Sequence, residues 1–189
     1  LRRDPTDVRC LNQTGLWYLR RGRFDKAERY LRKAVSLWKK RNPNPYDGEP
    51  IFNLALALKF QGLANNSQFS TLNSQLNEAY ELFWKSTWNK AWADAGYFEA
   101  ACISTAQGRY EDALDELNRC LIFNSCNHKA RALKAAVLRL LDRKDEASAW
   151  IEESLLLDHF NYGCRYEKYL LTGIDTLKDL MRKSSQNYD

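Results

Sequence analysis

Gly22-Arg23-Phe24-Asp25-Lys26-Ala27 is the first of three similar blocks in this chain of 189 residues. The others are Gly108-Arg109-Tyr110-Glu111-Asp112-Ala113 and Asp142-Arg143-Lys144-Asp145-Glu146-Ala147. Each block begins with a turn residue, continues with Arg and ends with Ala. A large apolar residue lies four positions after each alanine and a small residue lies seven positions after it, as in Leu31 and Ala34. Because these positions share one helix face, each block predicts the start of an amphipathic helix.

The blocks recur at a fixed interval. Ala79, Ala113 and Ala147 are 34 residues apart, and Phe83, Leu117 and Ile151 keep the same spacing. Glycine at a block's start accepts a left-handed backbone, so Gly22, Gly62 and Gly108 are predicted to end one helix before the next begins. The predicted first helices are 8–21, 49–61, 94–107 and 128–141. The second helices are 24–40, 74–90, 110–123 and 144–157, followed by helices at 161–171 and 174–182.

Two segments interrupt this regularity. Residues 42–50 are rich in Pro, Gly and Asn, which break helices and favour an ordered turn. Residues 63–74 form an Asn- and Ser-rich insertion between Gly62 and Ala79. Since insertions in repeat proteins lie in loops, we expect a flexible excursion there.

With these residues the chain resembles tetratricopeptide repeat (TPR) proteins over residues 8–171. The first repeat offers Leu11, Thr14-Gly15, Tyr18 and Ala27, although the proline that closes the family signature is absent from all four repeats. The resemblance implies an all-α fold, an α/α superhelix of stacked antiparallel helix hairpins. It also implies a single domain over 1–189, with repeats at 8–41, 48–93, 94–127 and 128–160 and a partial fifth unit at 161–189.

The composition favours a helical protein whose function is binding rather than catalysis. Hydrophobic residues make up 44% of the chain and charged residues 28%, which fits a packed core under a charged surface. No HExxH, GxSxG or phosphate-binding glycine loop occurs, so we expect neither enzymatic activity nor a cofactor or metal site. The five cysteines include no CxxC pair, which favours a reducing, cytoplasmic compartment, with Cys102 and Cys120 in the core.

The resemblance implies that the first helices line a concave groove for a protein, a peptide or another domain of the same chain. No membrane partner is expected, because the sequence contains no apolar run of about 20 residues. By analogy with the family, the exposed groove residues include Asn12, Leu16, Arg20, Phe52, Leu56, Lys59, Phe60, Phe98 and Arg139.

Two further sequence features bear on function. Trp84, Trp88 and Trp92 recur every four residues and would form one stripe if a single helix carried all three, either in the core or at an interface. Residues 20–41 contain ten Lys or Arg against Asp25 and Glu28, a local charge of +8 within a total of +5. This run predicts an acidic partner or a solvated helix face, and with Tyr30 and Trp38 it leaves nucleic-acid binding as a less favoured hypothesis.

A narrower resemblance concerns the context of the repeats. Residues 41–50, Lys85-Ser86-Thr87-Trp88-Asn89, and the tail at 180–182 and 186–188 are similar to large multidomain proteins in which TPR repeats follow a DUF5107-type domain. It implies that the chain is a fragment of a larger protein. The main hypothesis, which rests on the repeat array and the lack of a catalytic motif, is an interaction scaffold. The alternative, which rests on this context, is a non-catalytic accessory module of a carbohydrate-active or other enzyme.

Overall fold

The computed structural model describes residues 4–42, 47–64 and 69–173, with side chains for all of these except 69–73. Within these ranges the chain forms nine α-helices and no strand, which confirms the predicted all-α class of antiparallel helix hairpins. The helices are α1 (Val8–Leu19), α2 (Phe24–Arg41), α3 (Glu49–Ala64), α4 (Phe69–Ser86), α5 (Lys90–Ala106), α6 (Tyr110–Phe123), α7 (His128–Leu140), α8 (Lys144–Leu157) and α9 (Tyr162–Thr172).

A left-handed residue ends the first helix of three hairpins. Gly22, Gly108 and Asp142 have φ angles of +69°, +75° and +57°. The next helix begins two residues later in each case. The residue after each of them is an arginine, Arg23, Arg109 or Arg143. Its backbone N–H donates a hydrogen bond to the carbonyl five residues earlier, at 3.1, 2.8 and 3.0 Å respectively, which closes the last turn. The glycine prediction is wrong for Gly62, which is buried inside α3, because α3 continues to Ala64.

Residues 1–103 form the first of two compact units. Its core joins α2, α3, α4 and α5, to which α5 contributes the buried Ala100 and Ile103, and the side chains of Leu31, Leu58 and Phe83 are fully buried. Gly15, a small residue of α1, is needed for the packing of α1 against α2. A Cβ added to Gly15 would lie 2.5 Å from Leu31 Cγ, so α1 approaches α2 only because Gly15 has no side chain.

Residues 104–189 form the second unit, and the boundary between the units falls within α5. In this unit α7 packs against α6, α8 and α9. Ala135, Ile151 and Cys164 form a buried cluster, and burial raises the pKa of the Cys164 thiol. Of the two cysteines predicted for the core, Cys120 is buried and Cys102 is half-buried.

Helix boundaries differ from the prediction on both sides of the insertion. The helix α4 begins at Phe69, so the expected excursion at 63–74 is partly helical, and residues 65–68 lie outside the described residues. Residues 43–46 of the predicted turn and the predicted helix at 174–182 also lie outside them. In the described part of the chain, no helix combines the length and apolar character that a membrane crossing requires.

The predicted tryptophan stripe does not exist as one helix face, because α4 ends at Ser86 and α5 begins at Lys90. Trp84 and Trp92 pack against the core of the first unit. Trp88 lies on the turn between the helices and is 76% exposed. Two members of the set are therefore structural, and one is accessible.

Candidate functional site

The accessible side of α3 carries a short apolar line. Most residues of this helix are buried, including Leu54, Ala55, Ala57 and Leu58. From Ile51 to Leu63 the accessible side chains are Leu56, Lys59, Phe60, Gln61 and Leu63. Leu56, Lys59, Phe60 and Leu63 follow the i, i+3, i+4, i+7 pattern of one helix face. We call these four residues the α3 stripe.

Neighbouring helices hold the α3 stripe in place. The Phe60 ring stacks on Phe24, at the start of α2, with centroids 5.7 Å apart and an interplanar angle of 23°. Lys59 Nζ lies 2.5 Å from Glu99 Oε2 on α5, so its charge is already paired. Phe60 remains 38% exposed and Leu63 53% exposed. The stripe therefore offers fixed apolar surface beside a neutralised ion pair.

Two of the predicted groove residues are not accessible, and the prediction that they are exposed is wrong. Asn12 is buried and its Oδ1 accepts a hydrogen bond of 3.1 Å from Asn53 Nδ2 on α3. Phe52 is 7% exposed, with its ring 5.4 Å from that of Phe83 and 4.8 Å from that of Trp92. Both residues stand three positions before the small residue of their helix, and that helix face is turned into the interior.

The other predicted residues are at least partly accessible, but they are distributed over four helices or their ends. Leu16 on α1 and Phe98 on α5 are half-buried, and Arg20 is exposed at the C-cap of α1. Arg139 belongs to the second unit, where its Nε donates a hydrogen bond of 2.6 Å to Glu167 Oε2. Of the predicted groove residues, Leu56, Lys59 and Phe60 lie on the α3 stripe.

Sequence reasoning missed three residues of this surface. Leu63 was missed because α3 was expected to end at Gly62, although Leu63 stands seven residues after Leu56 and continues its face. Phe24 was predicted only as the start of a helix, and no local pattern indicated its stacking on Phe60. Glu99 stands 40 positions from its partner Lys59, so the sequence contains no signal for that pair.

A second accessible region, in the second unit, surrounds Trp150 on α8. Lys134 Nζ lies 3.8 Å from the centroid of the Trp150 ring, and the Arg131 guanidinium lies 4.2 Å from it. Trp150 and Lys134 border a cleft of about 300 Å³ that is lined by residues of α6, α7 and α8. Burial lowers the pKa of Lys134, because desolvation disfavours the ammonium. The Trp150 ring is thus already covered by two cations of the chain itself, Arg131 and Lys134.

Comparison with known proteins agrees with this architecture. Residues 8–42 match the family model described as tetratricopeptide repeat. A solved structure described as a MamA RS-1 ArsTM double mutant is 17% identical, covers 96% of this chain and 97% of its own, and superposes with a TM-score of 0.64.

Two other solved structures were also matched. Pseudomonas aeruginosa PilF is 16% identical over 79% of this chain and 75% of its own, with a TM-score of 0.43. A thermophilic TPR protein from Thermus thermophilus is 17% identical over 88% of this chain and 100% of its own, with a TM-score of 0.40. The matched repeat and the MamA fold together show that this chain contains a tetratricopeptide repeat within a TPR-like helical fold.

Proposed function

We propose that this chain is an interaction scaffold whose α3 stripe binds an apolar segment of a partner protein or peptide, or of another domain of the same polypeptide. The observation that supports the proposal is the exposure of Phe60 and Leu63 on a helix that is otherwise mostly buried. TPR repeats generally mediate protein–protein interaction, which agrees with this use of the surface.

The physical basis is preorganisation. Stacking on Phe24 fixes the Phe60 ring, and the ion pair with Glu99 fixes Lys59, so neither side chain loses much freedom when a partner binds. A partner that covers Phe60 and Leu63 gains the burial of apolar surface. Aromatic residues that are already ordered are typical energetic centres of protein interfaces.

Binding to an identified partner tests the proposal. Partners are isolated on the tagged full chain and identified, and their Kd is measured for the unmodified chain and for a Phe60→Ala/Leu63→Ala variant. Loss of two central apolar side chains should weaken binding about tenfold or more. Phe98→Ala tests in the same assay whether α5 contributes.

The matched control is Trp88→Ala, which removes a large aromatic side chain that is exposed elsewhere in the same unit. This variant should bind as the unmodified chain does. Equal affinity of the unmodified chain and the Phe60→Ala/Leu63→Ala variant would show that the stripe is not the binding surface.

The context of the repeats stays a prediction. The DUF5107-type resemblance and the accessory-module hypothesis both require a longer polypeptide with further domains. Turnover assays address the accessory role, because an accessory module has no activity of its own. Hydrolysis of a polysaccharide by the purified chain would contradict both the accessory role and the non-catalytic scaffold.

A further inference from the structure

The first unit contains a cleft of about 510 Å³ between α2 and α4. Its walls are one face of α2 and one face of α4, and its floor includes α3. We call it the α2–α4 cleft, and its lining residues are Arg32, Val35, Ser36, Lys39, Lys40, Leu54, Glu78 and Leu82. Leu54 and Leu63 are nine residues apart, which at about 3.6 residues per turn places them on opposite faces of α3. The cleft is therefore separate from the α3 stripe.

The inner part of the α2–α4 cleft is apolar and one end is closed. Val35 and Leu54 are buried at its base, and Leu82 is half-buried. Arg32 spans the two walls, with Nη1 2.7 Å from Glu78 Oε1 and Nη2 2.8 Å from Glu78 Oε2. Its Nε also lies 2.7 Å from Oε1 of Glu28, which is outside the lining. This paired arrangement neutralises Glu78, the one carboxylate among the lining residues that the structure describes.

The positive charge that remains belongs to two lysines. Lys39 and Lys40 are exposed on the last turns of α2, and neither forms an ion pair with a residue that the structure describes. Because they stand seven and eight residues after Arg32, they lie on the same helix face along the cleft. The lining residues that the structure describes therefore carry a net charge of +2 above an apolar base, and Glu28, which pairs with Arg32 from outside the lining, lowers the local balance to +1.

The aromatic residues of the basic segment point to a peptide rather than to nucleic acid. Proteins that bind single-stranded nucleic acid stack bases on accessible aromatic rings beside cations. Here Tyr30 stacks on Tyr18 with ring centroids 5.5 Å apart, and Trp38 packs against the cluster of Val8, Leu11 and Ala34. Neither ring lines the cleft, whose base is aliphatic.

We propose that the α2–α4 cleft binds an acidic peptide segment that also carries an apolar side chain. Carboxylates of the segment pair with Lys39 and Lys40, and the apolar side chain covers Val35, Leu54 and Leu82. The proposal rests on charge complementarity and on the apolar base, and it does not depend on the α3 stripe.

A phage-displayed library of random dodecapeptides, panned against the immobilised full chain, tests this assignment. The most enriched peptides are synthesised, and their binding to purified chain is measured by fluorescence anisotropy. We expect a class of peptides that contains several Asp or Glu and at least one large apolar residue. Lys39→Glu/Lys40→Glu should weaken their binding about tenfold or more, because two attractive contacts become repulsive.

Two further variants distinguish binding in the cleft from attraction to the general positive charge of α2. Arg29→Glu/Lys33→Glu makes the same change of charge on exposed residues of α2 outside the cleft, and it should leave binding nearly unchanged. Ser36→Trp places a bulky side chain in the cleft at an exposed position and should abolish binding without a change of charge.

Four results would overturn the assignment. The first is a selection without an acidic class, and the second is an equal loss of binding in the Arg29→Glu/Lys33→Glu variant. The third is a single-stranded dodecauridylate that binds more tightly than the acidic peptides and loses affinity in Lys39→Glu/Lys40→Glu. Acidic peptides that lose affinity only in Phe60→Ala/Leu63→Ala belong to the α3 stripe and also overturn it.

Discussion

Asp142 occupies a backbone conformation that its counterparts fill with glycine. Its φ is +57°, and it ends α7 as Gly22 and Gly108 end the first helices of their hairpins. A side chain in the left-handed region costs about 1 kcal/mol relative to glycine, although Asp tolerates the region better than most residues. The ion pair between Asp142 and Lys144, at 3.0 Å, is highly exposed and offsets little of that cost.

Exchanging these residues should therefore change stability in opposite directions. Asp142→Gly is expected to raise the free energy of unfolding by about 0.5–1 kcal/mol, and Gly108→Asp to lower it by about 1 kcal/mol. Urea denaturation followed by circular dichroism measures both. An Asp142→Ala control keeps the backbone strain and removes the ion pair, so it should not be stabilised. A destabilised Asp142→Gly would mean that the aspartate side chain contributes more than its conformation costs.

At the residue scale, the sequence predicted small residues better than accessible ones. Gly15 stands at a small position of the repeat signature, and a Cβ added there would lie 2.5 Å from Leu31 Cγ, so a small residue is required. The accessibility of Asn12 and Phe52 was predicted wrongly, because periodicity places a residue on a helix face but does not say which neighbouring helix covers that face. The prediction that Gly62 ends a helix was wrong for a related reason, since glycine permits a left-handed backbone but does not require one.

Among the elements, α7 departs furthest from the repeat pattern. Its position equivalent to Leu11 of α1 and Ile51 of α3 is Arg131, and all three side chains are buried. Arg131 donates hydrogen bonds to Ser154 Oγ at 3.0 Å, to the carbonyl of Ser125 at 3.2 Å and to Glu153 Oε1 at 2.6 Å. An arginine thus fills a place that apolar residues hold in α1 and α3.

Removal of this arginine should loosen the α7–α8 hairpin. Arg131→Ala leaves the buried Ser154 hydroxyl without one partner and leaves empty space beside Trp150, so we expect a loss of about 2–3 kcal/mol in the free energy of unfolding. Arg131→Lys should recover little, because an ammonium cannot reach three divergent acceptors at once. Thermal denaturation of the three proteins measures the effect. Glu153→Ala is the control, and it should cost little because Glu153 is mostly exposed. Full recovery by lysine would show that charge, rather than geometry, stabilises the hairpin.

Element positions were predictable where a turn has a local signal. The second helices begin at Phe24, Tyr110 and Lys144, as the three repeated blocks indicate, because the left-handed residue before them is encoded in the block itself. The end of α4 at Ser86 had no such signal. The spacing of the three tryptophans suggests one continuous helix, although residues 87–89 form a turn. Trp84 and Trp92 pack against the core from two different helices, so their spacing does not reflect a shared helix face.

Across the whole molecule, charge and packing both divide between the two units. Residues 1–103 carry a net charge of +6 and residues 104–189 carry −1. An acidic ligand is therefore attracted mainly by the first unit, which also contains the α2–α4 cleft. The buried clusters follow the same division, since the cluster around Leu31 and Phe83 and the cluster around Ile151 belong to different units.

Repeat proteins gain stability from neighbouring contacts, so damage to one part need not spread through the chain. Leu31 and Ile151 test this well, because each follows the alanine of its block by four positions and each is fully buried. Truncation of either residue to alanine should cost about 2–5 kcal/mol locally. In Ile151→Ala, amide hydrogen exchange should accelerate mainly in α7, α8 and α9, whereas in Leu31→Ala it should accelerate mainly in α1 to α4. Mass spectrometry of peptic fragments measures both variants, each of which is the control for the other. Equal acceleration in all helices of both variants would show that the chain unfolds as one cooperative unit.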